Sequence, residues 1–133
     1  MYRKHKNVKD IKYILKHLRP EDLHEVKMQR GKNYLKEIPK EIMESNHHFV
    51  LGIEKKTNIP AVMGGCVDAG DGVGIVWLLS TPKVLKHQIC LLKNLKKDIQ
   101  EFDEKYWLTF NMLYKENEIA KHWLKKYGYR FPK

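Results

Sequence analysis

Few residues that can attack, take up a proton or hold charge are placed together in this sequence. Lys83, Lys86 and His87 stand in "STPKVLKHQICLL", directly after the apolar run "VGIVWLLST". A helix start attracts anions, and these three side chains add positive charge, so this junction suits an anionic ligand. His47 and His48 are adjacent, which in a strand sends them to opposite faces. One is expected to line a groove and the other to meet solvent. They lack the i, i+4 helical spacing of a metal pair, and no metal is assigned. His5, His17, His24 and His122 read as surface or helix-edge residues. Cys66 beside a histidine would be a nucleophile, but free cysteine is more often a small buried hydrophobe. Cys66 and Cys90 are too few for a disulfide framework and are read as reduced thiols of a cytoplasmic protein. "VGIVWLLST" holds neither carboxylate nor histidine; Asp68 precedes the nearby turn and Asp71 lies in it, and no general base is assigned.

The elements that must position these groups follow from period and punctuation. "YRKHK" reads as an edge strand. Asn7 offers a cap to a helix through Leu18, with Val8, Ile11, Ile14, Leu15 and Leu18 at helical spacing. Pro20 suits the first turn of a second helix, which Gly31 ends. "NYLKEIPKEIMESN" is a third helical segment that Pro39 kinks or divides. The period then becomes extended: "HHFVLGIE" and "PAVMGGCVDAG" predict an antiparallel pair, and Asp71-Gly72 turns the chain into "VGIVWLLST". That run lacks polar alternation and is expected to be the central strand, buried on both faces. Pro82 opens a long helix, "YWLTFNMLY" is a further strand, and a closing helix and the short strand "YRF" follow. Trp77 and Trp123 are expected in the core, a groove wall being the alternative.

The order predicts one domain over residues 1–133, an α/β (α+β) sheet flanked by helices. Its ligand is expected at the carboxyl end of "VGIVWLLST", where strand passes into helix. No apolar run approaches the roughly 20 residues that span a bilayer, and the basic start carries no apolar segment of a signal peptide, so no membrane partner is expected. The net charge of +10, from 26 Lys and Arg against 16 Asp and Glu, raises nucleic acid as a partner. The lysines are scattered along the polar sides of helices, as in "KNLKKDIQEFDEK", which favours a solvated surface over a phosphate track.

Asn117, Ala120, Trp123-Leu124 and Gly128-Tyr129, with "VMGGCV" and "VWLLST", give the chain its resemblance to the GNAT superfamily of acetyl-CoA-dependent N-acyltransferases. "VWLLST" and "WLKKYGYRF" also resemble the GNAT-like phage proteins that include the internal virion protein A of short-tailed phages. The resemblance implies a mixed, mostly antiparallel sheet with a splayed pair of strands. It implies acetyl-CoA between the fourth and fifth strands, its pantetheine bonded to the backbone of Leu78, Leu79 and Ser80. Lys83 and Lys86 would lie by its phosphates, and Asn117 would fix the fifth strand or the cofactor. The implied partners are acyl-CoA and an amine acceptor, with a phage virion or host protein as the partner in the assembly reading.

Two departures bear on activity. The superfamily's pyrophosphate loop is glycine-rich, whereas no glycine occurs between Gly74 and Gly128. The position of the tyrosine that protonates the departing thiolate is Leu124, leaving Tyr127 as a displaced candidate acid, with packing beside Gly128 as its other reading. Acetyl transfer is therefore expected to be weak or absent; an active N-acetyltransferase and a basic nucleic-acid-binding or virion assembly protein are the alternatives.

Overall fold

A computed structural model describes residues 1–110 and 118–126 of the 133-residue chain. Strand β1 (Tyr2–Lys4) leads to helix α1 (Val8–Lys16), α2 (Pro20–Arg30) and α3 (Tyr34–Glu44). Strands β2 (His48–Ile53), β3 (Pro60–Gly70) and β4 (Val73–Ser80) follow. A 3-10 segment, Pro82–His87, then runs into α4 (Gln88–Lys105), and β5 (Leu108–Phe110) and α5 (Glu118–Lys125) complete the described elements.

The punctuation in the sequence works as its chemistry requires. The Asn7 side chain accepts the Asp10 N–H at 2.9 Å and caps α1. Pro20 opens α2, and Gly31 ends it with φ of 75°. Pro39 lies inside α3, which continues through it as one helix. Asp71 and Gly72 both have positive φ, 55° and 76°, and make the tight turn between β3 and β4.

The sheet order is β1-β2-β3-β4-β5. The first three pairings are antiparallel, and β4 pairs β5 in parallel through Val73, Gly74 and Ile75. Residues 111–117, on which a splay between β4 and β5 depends, lie outside the described residues.

The strand buried on both faces is β3, not β4. Residues Pro60 to Cys66 are buried without interruption, whereas Ile75, Trp77 and Leu78 of β4 are only half-buried. Both runs lack polar alternation, so pattern alone could not tell which is central; the order of pairing decides it. Gly64 in β3 brings β4 close: a Cβ there would lie 2.7 Å from the Trp77 carbonyl oxygen.

Alternation along the strands divides the core. One face carries Leu51, Ile53, Met63 and Leu79 against Ile11, Ile14 and Leu15 of α1, Val26 of α2 and Ile38 of α3. The other packs Val62 with Val84, Leu91 and Trp123, and Cys66 and Val76 with Ile99 and Phe102 of α4. Each fully buried aliphatic side chain contributes about 1.5–3 kcal/mol. Helix α2 differs from its neighbours, for it buries Asp22 and Glu25 beside Val26. Polar contacts at its start hold it in place.

Candidate functional site

A groove of about 630 Å³ lies between α2, α3 and the sheet. Phe49, Val67, Ile75, Trp77 and Leu79 form its apolar floor, and Val26, Ile38 and Ile42 extend the apolar surface up the helices. The Phe49 and Trp77 rings stand 6.0 Å apart, tilted by 40°. Trp77 thus walls a groove, while Trp123 is core at 1% exposure, its indole N–H donating to Gln88 Oε1 at 3.1 Å. Glu25, Glu41 and Glu44 line the groove together with one cation, Arg30, which is bonded to Glu41 at 2.6 Å. The groove reaches β4 at Leu78 and Leu79.

At the end of β4 a buried polar network ties the strand to α2. The Arg19 backbone N–H donates to the Ser80 carbonyl at 2.9 Å, and Arg19 Nε donates to Ser80 Oγ at 2.9 Å. Asp22 Oδ2 accepts both the Ser80 N–H and its hydroxyl at 2.9 Å, while Arg19 Nη2 donates to Asp22 Oδ1 at 3.2 Å. Arg19 and Asp22 are each 2% exposed, so the guanidinium and carboxylate compensate one another out of water. The Arg19 guanidinium also lies 5.5 Å from the Trp123 ring centroid, which links α5 to the network.

This geometry bears on the three residues expected to bond a pantetheine. Thr81 N–H points to β3, donating to Ala61 at 2.9 Å, while Ser80 points the other way. By the alternation of strand backbone groups, Leu79 faces β3 and Leu78 faces the β5 side. Ser80 also faces that side, but its N–H and carbonyl already serve Asp22 and Arg19. Leu78 is therefore the one of the three that faces the β5 side without being engaged by Arg19 and Asp22.

The expected phosphate side is also engaged within the chain. Glu54, buried just past β2, accepts from His87 Nε2 at 2.6 Å, Thr57 Oγ1 at 2.7 Å and Lys83 Nζ at 3.3 Å. The bonds from His87, Thr57 and Lys83 hold the Glu54 carboxyl at about 2, well below its usual value. The segment after β4 starts as 3-10 rather than α-helix, Pro82 at its head has no N–H, and the Val84 N–H donates to Thr81. Lys86 is exposed, beside a shallow depression that includes His87, Ile89 and Lys93. Val84 is core, whereas its neighbour Leu85 is exposed.

Asn117 and Tyr127 lie outside the described residues, as does the closing strand; α5 is described, but not the Leu124 side chain. Cys66 is buried at 1% exposure, and burial pushes its thiol up to about 11, far from a nucleophilic thiolate. His47 is exposed at the groove's end, where its Nδ1 accepts the Asp68 N–H at 3.3 Å. His48 packs edge-on to Phe102 on the α4 side, with Nε2 3.4 Å from Asp98. His48, Asp98 and Glu101 bring potential donor atoms within 4.8 Å of one another, and Arg3 binds the same Asp98 carboxylate at 2.8 Å.

Arg19, Asp22, Glu25 and Glu54 did not stand out in the sequence. For Asp22 and Glu25 the local signal is acidic residues within the first turns of a helix that has no clear apolar stripe.

No protein-family model matches the chain, and no curated protein matches it. Solved structures do. A mutant form of the BH1408 protein of Bacillus halodurans aligns with a TM-score of 0.65 at 14% identity, over 100% of this chain and 96% of that one. The aminoglycoside acetyltransferase AAC(6')-Iy, solved with the bisubstrate analogue CoA-S-monomethyl-acetylneamine, aligns at 0.62 and 13%, over 99% and 92%. The aminoglycoside 6'-N-acetyltransferase AAC(6')-Ig of Acinetobacter haemolyticus aligns at 0.59 and 11%, over 100% and 93%. Sequence identities this low speak to architecture alone, and the architecture is that of the GNAT acetyltransferases: a five-stranded mixed sheet flanked by helices.

Proposed function

We propose that this chain is a GNAT-fold protein related to acyl-CoA-dependent N-acyltransferases, with a formed amine-receiving groove and a weakened donor side, so that acetyl transfer is slow or absent. The observation that carries the reading is the groove, which meets β4 at Leu78 and Leu79, where the resemblance puts the pantetheine. Glu25, a buried carboxylate in its wall, is the candidate to accept the proton of an incoming ammonium group. Acetyl-CoA would supply the activated acyl group. Leu78 and Asn117 are the residues proposed to hold it, with Lys86 near its phosphates and Tyr127 as candidate acid. The engagement of Ser80 by Arg19 and Asp22, and of Lys83 and His87 by Glu54, supports the weakening.

Calorimetric titration with acetyl-CoA at moderate and raised salt tests this, followed by thiol release with a panel of amines. The expected result is weak binding and little turnover. Tight, salt-resistant binding with rapid thiol release would replace the proposal with an ordinary acetyltransferase. The same engagement of the donor side favours a second reading, in which the scaffold serves assembly in a phage virion or on a host protein. Neighbouring genes for tail, portal or lysis proteins would support that one.

A further inference from the structure

We propose that His48, Asp98 and Glu101 bind a zinc-like divalent metal ion, which ties α4 to the start of β2. The three side chains meet on the α4 side of the sheet, away from the floor of the groove, so the site does not depend on the acyl-transfer reading.

The case begins with one atom. The His48 side chain turns toward α4, where Phe102 packs edge-on to its ring with centroids 4.9 Å apart and fixes its plane. Its Nε2 is shut off from solvent and is the one buried side-chain nitrogen or oxygen among the described residues that lacks a hydrogen-bond partner. Buried polar atoms are almost always satisfied, and a bound ion is one of the few ways to satisfy this one.

The surrounding donors have the spacing an ion needs. Asp98 Oδ1 stands 3.4 Å from Nε2, and the two do not form a hydrogen bond. Ligands about 2.1 Å from a tetrahedral ion lie about 3.4 Å from each other, so this pair is set to share one. Asp98 is 3% exposed, and its other oxygen accepts from Arg3 Nη2 at 2.8 Å. That bond holds the carboxylate with Oδ1 toward the imidazole, as an outer partner orients a metal ligand. Glu101 follows Asp98 by three residues on the same face of α4 and brings the third donor; the three ligand atoms lie within 4.8 Å of one another. The Glu101 side chain is 55% exposed and the imidazole 31%, which leaves the ion a path in from solvent.

The donor set also selects the ion. One imidazole and two carboxylates suit zinc and its first-row neighbours better than magnesium, which prefers oxygen alone. The competing arrangement is a plain ion pair between charged His48 and the carboxylates. Asp98 already has its cation in Arg3, which makes that pair redundant.

Calorimetry on chelator-treated, dialysed protein in a non-coordinating buffer, with zinc chloride and magnesium chloride as the probes, tests the proposal. We expect one zinc ion per chain to bind saturably, magnesium to bind at least about tenfold more weakly, and zinc to raise the melting temperature. His48→Gln and Glu101→Gln should each weaken zinc by about tenfold or more. Asp103→Asn removes an exposed carboxylate from the same helix on another face, and should leave zinc binding unchanged. Should His48→Gln fail to fold, Glu101→Gln alters only an exposed side chain and keeps the test open. No saturable zinc binding, equal binding of magnesium, zinc binding that survives both substitutions, or an equal loss in Asp103→Asn would overturn the proposal. Neither acetyl-CoA nor an amine is present, so these outcomes are independent of whether acyl transfer occurs.

Discussion

Asp22 carries more of this structure than any property of a lone aspartate suggests. Its carboxylate accepts from the backbone and hydroxyl of Ser80 and pairs with Arg19, all out of water. Removing it takes the nearer of two carboxylates, the other being Glu21 at 3.9 Å, from a buried guanidinium, so Asp22→Ala is expected to cost about 3–5 kcal/mol in urea unfolding. Ser80→Ala, which removes one hydroxyl, should cost about 1 kcal/mol. Glu54 makes a different prediction, because its folded value of about 2 lies below the ordinary 4.5. A carboxyl depressed in this direction contributes stability that is present above pH 4.5 and is lost as pH falls toward 2. Glu54→Gln should remove that part of the acid dependence, seen as a flatter melting-temperature profile over the same window. The substitution also releases Lys83 and His87, and acetyl-CoA affinity is expected to rise about tenfold by calorimetry. No gain would mean that these two residues do not face the phosphates.

At the scale of elements, the helices differ in what holds them. Helix α1 is held by an apolar stripe and a cap, so Asn7→Ala should cost about 1 kcal/mol in chemical denaturation. Helix α2 is tied down by the network at its first turn and offers the core Val26 and half-buried Leu23, so its loss should track Asp22 more than either apolar residue. Strand β3 depends on close approach. A Cβ at position 64 would meet the Trp77 carbonyl oxygen at 2.7 Å and Leu78 Cδ1 at 2.9 Å. Gly64→Ala is therefore expected to destabilise by about 1–3 kcal/mol. It should also weaken amine binding, since Trp77 is displaced with its strand.

For the whole molecule, charge and shape point to different ligands. The surface of a +10 chain attracts polyanions in general, and such binding should fall steeply with salt in a filter or anisotropy assay with duplex DNA. The groove has the opposite sign, so its amine binding should not show that slope. Much of the fold was legible in the sequence: the cap at Asn7, the helix start at Pro20, the stop at Gly31, the turn at Asp71-Gly72 and the extended runs of β2 and β3 act over a few residues, and their chemistry can be read from those residues alone. Which apolar run was central could not be read, because β3 and β4 look alike until the pairing order makes β3 the middle strand of five. The site was legible only as an address, the end of "VGIVWLLST". Its actual contacts join Ser80 to residues 58 and 61 positions away, and Glu54 to residues 29 and 33 positions away. Contacts of that separation form only when the core brings them together. Helical period, caps and turns were thus decided by the sequence locally; the groove, its charge and the engagement of the donor side were decided by tertiary burial.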